Sequence, residues 1–122
     1  MTANNRMQFT TISKEQLKEK IDRGDRMQLV DIRSYDAFWK ERVRGAISLP
    51  HNRVVDRAEM LDPGLPIVLY GEDENDQQVQ RTGEALVERD FAPSHILIYK
   101  DGLIGWRAEG YFTDAGDESI TK

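Results

Sequence analysis

The run Ile67-Val68-Leu69-Tyr70 is apolar without a break. A strand with one wet face alternates polar and apolar residues, so an unbroken run of this length belongs inside a sheet covered on both faces. Met27 to Ile32 (MQLVDI) reads as another short buried strand, Ala46 to Leu49 as a third, closed by Pro50, and Ile96 to Tyr99 as a fourth. Helical patterns lie between and around them. Ser13 and Gln16 form a capping box, Leu17 and Ile21 share a face, and Gly24 supplies the stop. Ser34 caps a short helix that carries Phe38 and Trp39. Residues 52–61 are weakly helical, with Val54, Val55 and Met60 as their apolar contacts. Gln77 to Arg89 reads as a helix with Val79, Gly83, Leu86 and Val87 toward the core, and Asp101-Gly102 turns into a short helix bearing Trp106. This alternation predicts an α/β fold, a central parallel sheet with helices on both faces.

A chain of 122 residues is one domain and can bury one core without staples. Residues 1–10 read as an N-terminal extension, 11–112 as the domain and 113–122 as a polar, acidic tail with a frayed end. The net charge of −5 excludes nucleic acid as the main partner, because phosphate neutralisation needs a basic surface. No apolar run reaches membrane-spanning length. The start, MTANNRMQFT, lacks the charged-then-apolar pattern of a secretory signal, so the cytoplasm is the expected location. There is no cysteine, which excludes disulfides, thiolate metal sites and thiol chemistry on this chain. His51 and His95 lie far apart without ligand spacing, and Ser94 beside His95 does not make a triad. No metal and no cofactor are expected.

Several motifs fall in a fixed order. Leu29-Val30-Asp31-Ile32-Arg33 is followed by Tyr35-Asp36-Ala37-Phe38, then by Gly45-Ala46-Ile47-Ser48-Leu49-Pro50. Pro66 to Tyr70 comes next, and Gly102-Leu103-Ile104-Gly105-Trp106-Arg107-Ala108-Glu109-Gly110-Tyr111 closes the series. Together these resemble the rhodanese-like (sulfurtransferase) domain family from roughly Thr11 to Tyr111. The resemblance implies a single rhodanese-like domain with Asp31, Arg33, Gly45, Pro50, Gly102 and Trp106 as its structural signature. In active members a cysteine follows the strand that ends here at Tyr70, and the N–H groups of the next loop wrap its persulfide. Gly71 stands at that position. Arg42 takes the place of the family's histidine and Arg44 that of its neighbouring proline. The pocket loop, Gly71-Glu72-Asp73-Glu74-Asn75-Asp76-Gln77, reads as about two residues longer than the usual sulfurtransferase loop.

The resemblance therefore implies a catalytically inactive rhodanese-like domain acting as a binding, regulatory or scaffolding module. The alternative is a sulfurtransferase-class enzyme of weak or partner-dependent activity, with the persulfide carried by another protein. Cell-cycle dual-specificity phosphatases and arsenate reductases resemble the same scaffold. Gly71 offers no attacking atom and Gln77 or Gln78 no cationic clamp for their chemistry.

Glu72, Asp73, Glu74 and Asp76 crowd the approach to a helix start, where each gains about 0.3–1 kcal/mol from the helix dipole at low salt. They would take up the N–H groups that should hold a substrate anion, so thiosulfate and phosphate are expected to bind this loop poorly. The loop is then either a recognition element for a basic protein partner or a solvated helix cap. The ordered Asp-x-Asp-x-Asp-Gly pattern of a calcium loop is absent. Asp31 and Arg33 read as a structural pair. Arg33, Arg42, Arg44 and Arg53 read as a basic rim whose charges pair internally, Trp39 and Trp106 as packing residues, and Phe91 as packed beneath a helix end.

Overall fold

The computed structural model describes residues 7–116 of the chain. Its strands are β1 (Thr10–Ile12), β2 (Gln28–Asp31), β3 (Arg42–Val43), β4 (Ile47–Ser48), β5 (Ile67–Tyr70), β6 (Ile96–Tyr99) and β7 (Thr113–Asp114). Its α-helices are α1 (Lys14–Arg23), α2 (Tyr35–Lys40), α3 (Val54–Arg57), α4 (Gln78–Val87) and α5 (Gly102–Ala108). Five strands pair in parallel in the order β1-β6-β5-β2-β4, and β3 pairs with β7 in a separate antiparallel ribbon. From β2 the chain moves outward to β4 and then crosses back to β5 on the other side of β2. The strand order reverses between β2 and β5, and at such a point the carboxyl ends of a parallel sheet open a crevice. The register Asp31↔Tyr70 brings the ends of both motifs to that crevice.

β5 is buried along its whole length, and its side chains alternate between two cores. Ile67 and Leu69 join Val30, Ile32, Leu86 and Phe91 on one face, while Val68 and Tyr70 join Leu17, Leu29, Leu103 and Trp106 on the other. Each fully buried aliphatic side chain contributes about 1.5–3 kcal/mol, so the unbroken run in β5 feeds both layers. Trp106 sits edge-on to Tyr99 at 6.0 Å and to Tyr111 at 4.7 Å, and its indole N–H donates to the Phe112 carbonyl at 2.9 Å.

Local sequence sets the helix ends. The Ser13 hydroxyl accepts from the Gln16 N–H at 3.1 Å while the Gln16 amide oxygen accepts from the Ser13 N–H at 2.9 Å. Gly24 closes α1 in the left-handed region at φ 74°, and Ser34 caps α2 through the Ala37 N–H at 3.1 Å. No helix among the described residues is long and apolar enough to cross a membrane.

Three readings change. Val55 and Met60 are exposed, and Ala58 and Leu61 join Val54 in the core instead. Residues 51–60 alternate between 3-10 and α turns, so no single helical period selects one face. At the carboxyl end, Thr113 and Asp114 pair with Val43 and Arg42 rather than fraying, and the Gly116 N–H donates to the Trp39 carbonyl at 2.6 Å. At the amino end Thr10 already belongs to β1, paired with Leu97 of β6. The rest of the extension (1–6) and of the tail (117–122) lies outside the described residues.

Candidate functional site

β5 delivers Gly71 to the crevice, and the loop that follows folds back on it. A β-carbon on residue 71 would lie 2.2 Å from Asp76 Oδ2, 2.8 Å from Asp76 Cγ and 3.0 Å from Val79 Cγ2. The Asp76 carboxylate thus stands in the space a side chain at 71 would need. It is held there by two backbone donors: the Glu72 N–H reaches Oδ2 at 3.1 Å and the Gln78 N–H reaches Oδ1 at 3.0 Å. Asp73 does similar work nearby, accepting from the Asn75 N–H at 2.9 Å through Oδ1 and from the Asp76 N–H at 3.1 Å through its carbonyl. The loop supplies its own anions to its own donors.

The start of α5 is occupied in the same way. The Leu103 N–H donates to the Gly71 carbonyl and the Ile104 N–H to the Glu72 carbonyl, both at 3.0 Å. These would otherwise be unpaired donors of a helix end. The approach requires Gly102: its φ is +69°, and a β-carbon there would come within 2.6 Å of the Asp73 nitrogen and the Glu72 carbonyl.

Beside the loop lies a buried ionic network. Arg33 Nη2 is 2.8 Å and Nε 3.1 Å from the two Asp31 carboxylate oxygens, and the Arg33 N–H also donates to Asp31 at 2.9 Å. Tyr70 donates its hydroxyl to Asp31 Oδ2 at 2.7 Å and accepts the Val43 N–H at 3.0 Å. Arg33 reaches outward to the Glu41 carbonyl and to Glu72 Oε1, the latter at 3.2 Å. Burial works against the Arg33 charge, but the hydrogen bonds and field of Asp31 outweigh it and raise its pKa above the ordinary value. Burial first, and then the Asp31 carboxylate, push the Tyr70 phenol well above its ordinary value, so it stays a neutral donor. Glu41 joins the network to the ribbon, bound by Arg107 at 2.6 Å and by the Thr113 hydroxyl at 2.9 Å.

Each of the four arginines has partners within the chain. Arg33 pairs with Asp31 and Glu72, Arg44 with Asp114 at 3.1 Å, and Arg53 with Asp56 at 3.4 Å. Arg42 stacks on Phe38 and donates to the Gly116 carbonyl at 2.7 Å. Gly45 and Pro50 flank β4 at a distance from the loop in sequence, and Trp106 is an α5 residue that fills the core under the helix. Among the described residues no group of His, Cys, Asp and Glu is arranged to hold a metal ion.

Residues 13–109 match the sequence profile of the Rhodanese-like domain. The chain belongs to the rhodanese-like family. The rhodanese-like domain of Alr3790 from Anabaena sp. is 27% identical, with 93% of this chain and 85% of that one covered and a TM-score of 0.77. BH2092 from Bacillus halodurans matches at a TM-score of 0.80 with 19% identity, over 87% of this chain and 77% of that one. A thiosulfate sulfurtransferase from Pseudomonas aeruginosa shares the fold at a TM-score of 0.73 and 19% identity, over 89% of this chain but 21% of its own. No curated protein matches the sequence.

In this rhodanese-like domain three contributors were not legible in the sequence. Asp76 looked like one acidic residue among four, and only its position beneath Gly71 separates it from the others. Tyr70 carried a strand signal that masked its hydroxyl's task. Glu41 lies between α2 and β3 in a segment with no motif, and its partners are more than sixty residues away.

Proposed function

We propose that this rhodanese-like domain is catalytically inactive and serves as a binding, regulatory or scaffolding module, with the loop from Gly71 to Gln77 as its contact for a basic protein partner. The observation that carries the first half is the Asp76 carboxylate in the space of a residue-71 side chain. Sulfur transfer on this scaffold needs a thiolate at that point and free N–H groups facing it. The chain has no cysteine, and the Glu72 and Gln78 N–H groups already serve Asp76.

Charge supports the second half. Glu74 is exposed and has no ion-pair partner among the described residues. It stands between two grooves, one lined by Met7, Phe9, Val79 and Ile98, the other by Asp73, Asp101 and Ile104. Glu72 keeps half of its side chain in solvent although it meets Arg33. A lysine- or arginine-bearing segment would be drawn to this ridge through salt-sensitive attraction. The test is capture of interacting proteins by the native chain and by a variant with Glu72→Gln, Asp73→Asn and Glu74→Gln. Capture by the native chain that fades with added salt and is lost in the variant is expected. Equal capture by both removes the loop as the recognition element.

A further inference from the structure

We propose that the cavity beside the carboxyl end of β4 is a binding site for a small phosphate monoester, separate from the Gly71 loop. The cavity measures about 500 Å³ and is lined by Tyr35, Ser48, Pro50, Arg53 and Arg57. That volume falls in the range of small-molecule sites. Its polar lining consists of two guanidinium groups one helical turn apart and two hydroxyl-bearing side chains, with no carboxylate. The three other cavities described each carry at least one: Glu74 and Asp76 in the first, Asp73 and Asp101 in the second, Glu59 in the third. In a chain of net charge −5 this wall reverses the prevailing sign.

The donors are largely uncommitted. Arg57 has no ion-pair or hydrogen-bond partner among the described residues. Arg53 meets Asp56 only through Nε at 3.4 Å, with both side chains more than half exposed. Ser48 lines the cavity, and its enclosed hydroxyl has no hydrogen-bond partner among the described residues. Leaving a buried hydroxyl unpaired is costly, and native folds seldom do it without a reason. Ser48 lies in register with Asp31 at the sheet's carboxyl edge, where open α/β sheets place their ligands. Paired guanidiniums suit a tetrahedral oxyanion better than any neutral ligand. Tyr35, half exposed and stacked on Trp39 at 5.8 Å, gives the ester's organic body a fixed aromatic wall.

The probes are inorganic phosphate and phenyl phosphate, titrated into the isotope-labelled chain while backbone amide shifts are followed. Saturable shifts are expected at residue 35 and across 48–57, with residues 71–77 unmoved and phenyl phosphate binding the tighter of the two. Arg57→Gln or Arg53→Gln should weaken binding about tenfold or more. Ser48→Ala should weaken it less, and Arg89→Gln, at a different cavity, should leave it unchanged. All four positions can be checked for retained folding from the same spectra. Shifts that stay linear into tens of millimolar, that follow every exposed arginine alike, or that persist undiminished in Arg57→Gln overturn the site. Equal affinity for the two probes overturns the monoester assignment.

Discussion

A carboxylate oxygen 2.2 Å from the place of a β-carbon leaves no room for a side chain at residue 71 unless the Asp76 side chain swings away and gives up its two backbone donors. Gly71→Cys is therefore expected to destabilise the domain by about 1–3 kcal/mol, as overpacking does elsewhere, measured by denaturant unfolding. The new thiol would face Asp76, and an anionic neighbour raises rather than lowers a thiol pKa. Alkylation rates against pH should show that thiol at or above the ordinary cysteine value. Adding Asp76→Ala removes the collision and frees the Glu72 and Gln78 N–H groups, so the double variant should recover stability relative to Gly71→Cys and show a lower thiol pKa. A thiol that is strongly acidic in the single variant would mean that Asp76 does not control the cradle. Arg33→Met poses a separate question at the same scale. It strands the fully buried Asp31 carboxylate beside Tyr70 and is expected to cost about 3–5 kcal/mol. A loss below 1 kcal/mol, of the order seen for exposed pairs, would contradict the buried network.

The β3–β7 ribbon depends on Glu41, which ties α5 through Arg107 and β7 through Thr113. Burial opposes the Glu41 charge, but the hydrogen bonds from Arg107 and Thr113 prevail and hold its pKa below the ordinary carboxylate value. A carboxylate with a depressed folded pKa adds stability above its unfolded pKa and loses it as pH falls through the folded one. The stability gap between the native chain and Glu41→Gln should thus be about 1 kcal/mol at neutral pH and close below about pH 4. A gap that widens with acid would contradict the assignment. The ribbon was also the element least visible in the sequence. Thr113-Asp114 has no apolar run, and its partner Arg42-Val43 is equally short, so only the folded chain brings them together. By contrast β5, β6 and α1 were legible because local signals agree with tertiary burial: an unbroken apolar run, or a capping box with a glycine stop. Residues 51–60 misled because alternating turn types erase the period that selects a face.

For the molecule as a whole, the order of motifs spelled out the family, and the doubly covered parallel sheet follows from strands buried on both faces. The candidate site was legible as a position, Gly71 without a thiol, but not as a geometry. Asp76 is the loop carboxylate that turns inward, held by the Glu72 and Gln78 N–H groups, and no residue pattern separates it from its three acidic neighbours. Outward charge on the same loop sets the expectation for partners: binding through Glu74 and its neighbours should weaken steeply as ionic strength rises, whereas an apolar contact would not. The central claim concerns chemistry, and turnover of thiosulfate with cyanide by the purified chain addresses it directly. A rate indistinguishable from that of a mock preparation is the expected result, since the chain has no cysteine thiol on which to form a persulfide. Thiocyanate formed by the pure chain clearly above that background would contradict it.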